Sequence, residues 1–228
     1  MPSQNLDELI QAWGAARSAK YTSPDLAPLT VQIIRQLVTG QPVSAEALAV
    51  TNQRPVADIR AQLKQLEAEG TELGGHGNVV GSALSLNPTC HRLHVDGQVR
   101  YAWCALDTLF LPAYLQQAVQ VESVCPVSGA TIRLTITPDE VTLCDPPDIV
   151  VSIFIPRAKA EHQVAVQAGP RGPVCGSMHF FSSRDMAETW LAAHPDATLL
   201  SVAEAWELAR AVFIEPMRPY LYYNDIRS

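Results

Sequence analysis

The sequence predicts an α+β protein, with a helical N-terminal module followed by a β-rich domain that carries flanking helices. Apolar residues recur at helical spacing up to residue 69, whereas short alternating runs separated by turn residues take over from Leu84. With 228 residues, 47% of them hydrophobic and 17% charged, the chain is long and apolar enough for a substantial core. We expect one domain over residues 1–82 and a second over residues 83–228.

Four helices are predicted in the N-terminal module, and their ends carry recognisable signals. Ser44 can cap the third helix, Pro55 suits the first position of the fourth, and Gly70 ends that helix. A turn over residues 74–78 then separates two short apolar runs. Helices followed by such a hairpin are the order of a winged-helix module. The predicted helices cover residues 6–18, 29–38, 44–50 and 56–69.

The charge of this module argues against DNA binding. Residues 1–80 hold six Lys or Arg side chains against eight Asp or Glu, and the fourth helix places Arg60 and Lys64 among acidic residues. DNA recognition needs a clustered basic surface. The whole chain has a net charge of −7, which also argues against an anionic membrane as a binding surface. We expect no nucleic-acid or membrane partner, and a scaffold or lid role for the module.

The β-rich domain is predicted from turn signals between apolar runs. Asp96-Gly97 favours a tight hairpin turn, and Ser128-Gly129 separates a second pair of strands. A Gly/Pro-rich loop is predicted over residues 170–173, and capping-box patterns begin at Ser182 and Ser201. The predicted strands cover residues 91–95, 98–103, 117–125, 130–137, 141–144, 149–155 and 174–181, and the predicted helices cover residues 183–193 and 202–213.

The cysteines indicate a reducing compartment. They are odd in number, widely spaced and without a Cys-x-x-Cys pair, so neither a disulfide framework nor a zinc ribbon is expected. No apolar run is long enough to span a bilayer, and the N-terminus lacks the pattern of a secretory signal. We therefore expect a cytoplasmic protein with free thiols. The five cysteines are Cys90, Cys104, Cys125, Cys144 and Cys175.

Cys104 and Asp107 are the first candidates for chemistry. If their segment is helical, the spacing of three residues puts the thiol and the carboxyl on one face, and a position near the helix start favours the thiolate. Asp107 lies between Leu106 and Leu109, where a carboxyl is costly to bury unless it is paired or protonated. A raised pKa would let Asp107 act as a general acid. The alternative interpretations are a buried core cysteine and an aspartate that caps a helix or faces water.

The other thiols carry weaker signals. Cys175 follows the Gly/Pro-rich loop and can face a cleft, whereas Cys125 lacks the second cysteine of a zinc knuckle and is interpreted as structural. Cys90 and Cys144 have no companions that suggest chemistry. His179 lies on a predicted alternating strand, where a satisfied core histidine is the usual finding.

Two segments together resemble the organomercurial lyase (alkylmercury lyase) family. They read Tyr-Ala-Trp-Cys-Ala-Leu-Asp-Thr-Leu at 101–109 and Val-Cys-Gly-Ser-Met-His-Phe-Phe at 174–181. The resemblance extends over most of the chain and implies a winged-helix-like N-terminal domain and a β-rich catalytic domain. It implies that Cys104, Asp107 and Cys175 are catalytic and surround the mercury of substrate and product.

Two further positions bear on this resemblance. Cys125 matches a family cysteine that is usually regarded as structural. Gly176 stands where some members have another cysteine, which leaves the pair of reacting thiols unaffected.

The implied activity is protonolysis of the carbon–mercury bond of R–Hg(II), which gives the hydrocarbon R–H and Hg(II) held by two cysteines. Mercury is soft and prefers thiolate ligands, and Asp107 would relay or deliver the proton to carbon. An apolar surround of Trp103, Leu106 and Phe110 would suit alkyl or aryl groups and exclude water. No organic cofactor or resting metal is expected. An external thiol would remove the product ion, and a mercuric reductase is the expected downstream partner.

The residues alone leave two other functions open. One is a non-catalytic soft-metal-binding or metal-sensing protein whose winged-helix module reports to DNA. The other is a lyase-like scaffold that has turned to copper or another soft metal. The distance between the sulfurs of Cys104 and Cys175 is decisive for the lyase mechanism, because both thiolates must meet at one mercury.

Overall fold

The computed structural model describes residues 5–156 and 172–222. It contains helices and two antiparallel sheets. The predicted mixture of helix and sheet is confirmed. The helices are α1 (Leu6–Ala16), α2 (Ala27–Leu37), α3 (Ala45–Asn52), α4 (Val56–Ala68), α5 (Ala105–Leu115), α6 (Arg184–Leu191), α7 (Val202–Ala209) and α8 (Arg218–Leu221). The strands are β1 (Glu72–Leu73), β2 (Val79–Ser82), β3 (Leu84–Ser85), β4 (His91–Val95), β5 (Gln98–Ala102), β6 (Val119–Val124), β7 (Thr131–Ile136), β8 (Val141–Asp145), β9 (Val150–Phe154), β10 (Phe180–Phe181) and β11 (Ala197–Ser201).

The four helices predicted in the N-terminal module are present as α1 to α4. The hydroxyl of Ser44 accepts a hydrogen bond from the N–H of Ala47 at 3.1 Å, as expected of an N-cap. Helix α2 begins at Ala27 rather than residue 29, because Pro28 fits the first turn of a helix without losing a hydrogen bond.

The larger sheet runs through both predicted domains. Its strand order is β1-β2-β3-β5-β4-β6-β7-β8, with antiparallel neighbours. Asp96 (φ 49°) and Gly97 (φ 73°) form the predicted turn between β4 and β5, since both turn residues adopt positive φ. Strands β2 and β3 pair with each other, so the expected boundary after residue 82 lies within a continuous sheet. The smaller sheet has the order β10-β9-β11.

Helix α5 occupies the centre of the core. Its residues 105–114 are all buried, as befits a helix that is apolar on every side. It packs against α2, α7 and a π-helical segment, Arg210–Ile214, that continues α7. The hydroxyl of Tyr114 donates a hydrogen bond to the carbonyl of Phe213 at 2.9 Å. These contacts fix α5 in place, so the residues at its N-terminus have a rigid support.

The strand predicted over residues 174–181 is wrong in its first half. Cys175–Ser177 form a 3₁₀ turn, and only β10 pairs with β9. The N–H of Gly176 donates to the carbonyl of Gly172 at 2.8 Å, and that of Met178 donates to Cys175 at 3.2 Å. These local hydrogen bonds replace the ladder of a strand. Residues 170 and 171 of the predicted loop lie outside the described residues.

Within the described ranges, none of the helices combines the length and the apolarity that crossing a bilayer requires.

Candidate functional site

Cys104 and Asp107 are positioned by the first turn of α5. Cys104 is the N-cap residue, with extended backbone (φ −149°, ψ 174°), and Asp107 follows one helical turn later. The thiol of Cys104 donates a hydrogen bond to the carboxylate Oδ2 of Asp107 at 3.1 Å. Both side chains are buried, at 1% and 8% exposure. The predicted spacing therefore brings a thiol and a carboxyl together at the positive end of a helix dipole.

Cys175 reaches the same place from the 3₁₀ turn before β10. Its sulfur, the sulfur of Cys104 and a carboxylate oxygen of Asp107 all lie within 4.8 Å of one another. Two sulfurs that share one ion through bonds of about 2.3 Å, as in zinc thiolates, are at most about 4.6 Å apart. The two thiols are thus close enough to bind a single soft metal ion with little movement.

Hydrogen bonds to backbone carbonyls hold the two halves of this cluster together. The N–H of Ala105, next to Cys104, donates to the carbonyl of Met178 at 3.1 Å. The hydroxyl of Ser152 on β9 donates to the carbonyl of Ser177 at 2.7 Å. The turn that carries Cys175 is therefore held by both α5 and the smaller sheet.

A cavity of about 70 Å³ opens onto the cluster. Trp103 and Leu106 line it, as expected, but Phe110 does not: it stacks behind the wall against Phe213, with ring centroids 4.9 Å apart. The apolar side chains of the wall suit a small organic group. The lining residues are Trp13, Arg17, Ser18, Lys20, Tyr21, Gly70, Trp103, Leu106, Asp107, Val174, Cys175, Met178 and Phe213.

Burial sets the protonation of the cluster. Desolvation raises the pKa of Asp107 to about 6, although the hydrogen bond from Cys104 and the charge of Lys20 oppose this shift. Desolvation, together with Cys175 and Asp107, raises the pKa of Cys104 well above its usual value. At neutral pH the cluster therefore holds a thiol proton beside a carboxylate that can accept it.

A family model described as alkylmercury lyase matches residues 84–214, which include all three members of the cluster. The chain belongs to the alkylmercury lyase family. This confirms the resemblance that the segments at 101–109 and 174–181 indicated.

Curated relatives agree with this assignment, and a solved structure shares the fold. The alkylmercury lyase of Staphylococcus epidermidis is 40% identical over 178 residues, covering 78% of each chain. That of Pseudomonas putida is 35% identical over 188 residues, covering 82% of this chain and 84% of its own. The crystal structure of the mercury-bound form of MerB2 matches the fold with a TM-score of 0.68 and 22% identity, over 94% of this chain and 99% of that one. Because the family's curated members are named as enzymes, a non-catalytic metal sensor is not favoured.

Lys20 is a member of the site that sequence reasoning missed. It belongs to a 3₁₀ turn, Ala19–Tyr21, and is 4% exposed. Its ammonium lies 5.1 Å from the ring centroid of Tyr21 and 5.2 Å from that of Trp103. Burial lowers the pKa of Lys20, while the negative charges of Asp107 and Cys175 raise it. Because residues 18–28 show no helical or strand pattern, no periodic signal marked this lysine as buried.

Cys125 and Cys144 lie outside the cluster. Cys125 is buried at the end of β6, where its N–H donates to the carbonyl of Ala130. Cys144 is half-buried on β8. The structural role expected of Cys125 stays a prediction.

Proposed function

We propose that the protein cleaves the carbon–mercury bond of organomercurials, R–Hg(II), by protonolysis, with Cys104, Asp107 and Cys175 as the catalytic residues. The observation that carries this proposal is the mutual distance of at most 4.8 Å between two thiols and a carboxylate beside an apolar cavity, in a member of the alkylmercury lyase family. No organic cofactor and no resting metal enter the proposed chemistry, because mercury itself is part of the substrate.

The first step is capture of the substrate by a thiol. Coordination to mercury favours the thiolate form of Cys104. Its proton passes along the existing 3.1 Å hydrogen bond to Asp107, whose raised pKa of about 6 suits it to accept and then release a proton near neutrality. A thiol that is protonated in the resting protein thus becomes a ligand without a proton crossing bulk water.

The second step adds Cys175 and breaks the carbon–mercury bond. A second thiolate raises the electron density on mercury and weakens its bond to carbon. Protonated Asp107 donates its proton to the carbon as the bonding electron pair leaves with it. The products are R–H and Hg(II) bound between the two sulfurs. Of the two thiol protons, one ends on carbon and the other is released to solvent.

Protonated Lys20 supplies a positive charge to these steps. Thiolates and a carboxylate are costly in a buried site unless a counter-charge is near. Since the ammonium lines the same cavity and interacts electrostatically with Asp107 and both thiols, it favours their charged forms. We assign Lys20 as a positioning residue rather than a reacting group.

Release of the ion completes the proposed cycle. A dithiolate complex of Hg(II) is tight, so an external thiol in excess is needed to exchange the ion away from the two cysteines. We propose cellular thiols as this acceptor and a mercuric reductase as the downstream consumer, within the cytoplasm.

The N-terminal region is proposed to be a winged-helix-like domain over residues 1–82 that supports the catalytic domain over residues 83–228. The succession of α2, α3, α4 and the β1–β2 pair supports this proposal. Its contribution to the site is the segment with Lys20 and Tyr21, which walls the cavity. A supporting role as part of the cavity lid is consistent with its acidic composition, which does not suit DNA.

The test is formation of the hydrocarbon. The protein is incubated with methylmercury or phenylmercury and excess thiol, and methane or benzene is measured by gas chromatography. We expect turnover in the wild type and in Cys144→Ala, which removes a half-buried thiol outside the cluster. Turnover should be lost in Cys104→Ala and in Cys175→Ala. Activity that survives either of the last two substitutions contradicts the assigned roles.

A further inference from the structure

We propose that Cys90, His91 and His179 form a second metal site, separate from the reacting thiols, that binds a divalent ion of the Zn(II) class. One ligand atom from each side chain lies within 4.8 Å of the other two. Cys90 and His91 lie at the start of β4, and His179 precedes β10, so the two sheets meet at this cluster. None of the three belongs to the protonolysis mechanism.

The ring of His179 is held with a free lone pair. Its Nε2 lies 2.9 Å from the carbonyl oxygen of Gly176. A carbonyl only accepts hydrogen bonds, so the proton is on Nε2 and the lone pair is on Nδ1. A histidine that ligates a metal commonly donates its other N–H to such an acceptor.

The ring of His91 allows the complementary arrangement. Its Nδ1 lies 2.8 Å from the hydroxyl of Ser123, and both residues are buried. When Nδ1–H donates to this hydroxyl, Nε2 carries the lone pair. The two imidazole planes are 24° from parallel, with ring centroids 6.3 Å apart.

Burial favours the neutral form of both imidazoles, which is the form that binds metals. Burial lowers the pKa of His91 to about 3, and burial also lowers that of His179. Of the three ligands, Cys90 is the one that must ionise on binding.

The donor set selects the class of metal. One thiolate and two imidazoles are typical zinc ligands and leave a fourth tetrahedral position open to water. Hg(II), the softer ion, is better served by the two sulfurs of Cys104 and Cys175. Cys90 is exposed, so an ion can enter from solvent. The two sites therefore differ in the softness of their ligand atoms and so in the metal that each prefers.

The test uses a background in which the reacting thiols cannot bind metal. In Cys104→Ala/Cys175→Ala, Co(II) as a spectroscopic stand-in should bind with one equivalent and give a thiolate-to-cobalt charge-transfer band. Adding Cys90→Ala should abolish the band and weaken Zn(II) binding by more than about 100-fold, since loss of an outer-shell partner alone costs about 10- to 100-fold. Adding Cys144→Ala instead is the matched control and should change neither.

A second measurement uses the wild-type protein. Zn(II) should shift the ¹⁵N NMR resonances of His91 Nε2 and His179 Nδ1, and leave those of His76, an exposed histidine elsewhere, in place. Equal Zn(II) affinity with and without Cys90, or unshifted resonances of His91 and His179, would overturn the proposal. Neither result bears on hydrocarbon formation, which depends on the other three residues.

Discussion

The ammonium nitrogen of Lys20 lies 5.2 Å from the ring centroid of Trp103, on the wall of the cavity that holds the reacting groups. A cation placed against an aromatic face is stabilised by the ring quadrupole, and more strongly when it is shielded from water. Tyr21 contributes a second ring at 5.1 Å. Two aromatic faces thus compensate in part for the cost of burying the Lys20 ammonium beside Asp107 and the thiols.

Lys20→Met should move the pH dependence of turnover. The charge of Lys20 lowers the pKa of Asp107, so its removal raises that pKa above about 6. Because Asp107 must be ionised to accept the proton of Cys104, kcat/KM rises with pH through this pKa, and the rising limb should shift to higher pH. The measurement is a pH profile of hydrocarbon formation, with Lys64→Met on the exposed face of α4 as control. A loss of rate without a shifted profile would reduce Lys20 to a packing residue.

Asp107→Asn should separate binding from bond cleavage. Both thiols remain, so the variant should still take up the organomercurial. General acid–base catalysis contributes about 10²- to 10⁴-fold, so turnover should fall by about that factor. Binding is measured as the loss of titratable thiols. Cleavage is measured as the release of methane in a single turnover. Turnover close to wild type in this variant would exclude Asp107 as the proton carrier.

The free energy of unfolding of the wild type should also depend on pH through the titration of Asp107. Its pKa is about 6 in the folded state against 3.8 for the unperturbed group, so the folded state binds this proton more tightly. The contribution is present below pH 4 and is lost as the pH rises through 6, and it amounts to at most about 3 kcal/mol. In urea titrations, the free energy of unfolding of Asp107→Asn should therefore rise relative to that of the wild type as the pH increases over this range. His91, which titrates with the opposite sign, is common to both proteins and cancels. A difference that does not change with pH contradicts the raised pKa.

Gly81→Ala should displace Trp103, a residue of the cavity wall, by crowding its indole ring. A Cβ at this position on β2 would lie 2.8 Å from Oε2 of Glu72 and 3.1 Å from two atoms of the Trp103 indole. Overpacking of this kind costs about 1–3 kcal/mol, and displacement of Trp103 should raise KM. Gly14→Ala is the matched control, since a Cβ there meets nothing within 4 Å and replacing a helical glycine stabilises by up to about 1 kcal/mol. The prediction fails if Gly81→Ala is as stable to urea as Gly14→Ala.

Local signals predicted the local structure. The turn at Asp96-Gly97 and the caps at Ser44 and Ser201 were predicted because each depends on a few adjacent residues. The contact between Cys104 and Asp107 was predictable for the same reason, as it spans one helical turn.

What the sequence did not reveal is one local turn and two contacts between distant segments. The alternating residues at 174–181 predicted a strand, but hydrogen bonds from Gly176 and Met178 shape a turn there. The approach of Cys175 to Cys104 was available only through the family resemblance. Lys20 was missed because its burial results from packing against Trp103, which no pattern near residue 20 encodes.

The hydrogen bond from the N–H of Ala105 to the carbonyl of Met178 has a consequence for the order in which the protein matures. The two thiols belong to segments that are far apart along the chain, and closing so long a loop is slower than forming α5 or the β4–β5 hairpin. During synthesis, Cys104 is therefore made well before Cys175, and its thiol has no second thiol beside it until the later segment docks. The sulfur pair is in effect a marker of completed folding, and a bidentate arsenical, which needs both thiols at once, would trap only molecules that have reached that stage.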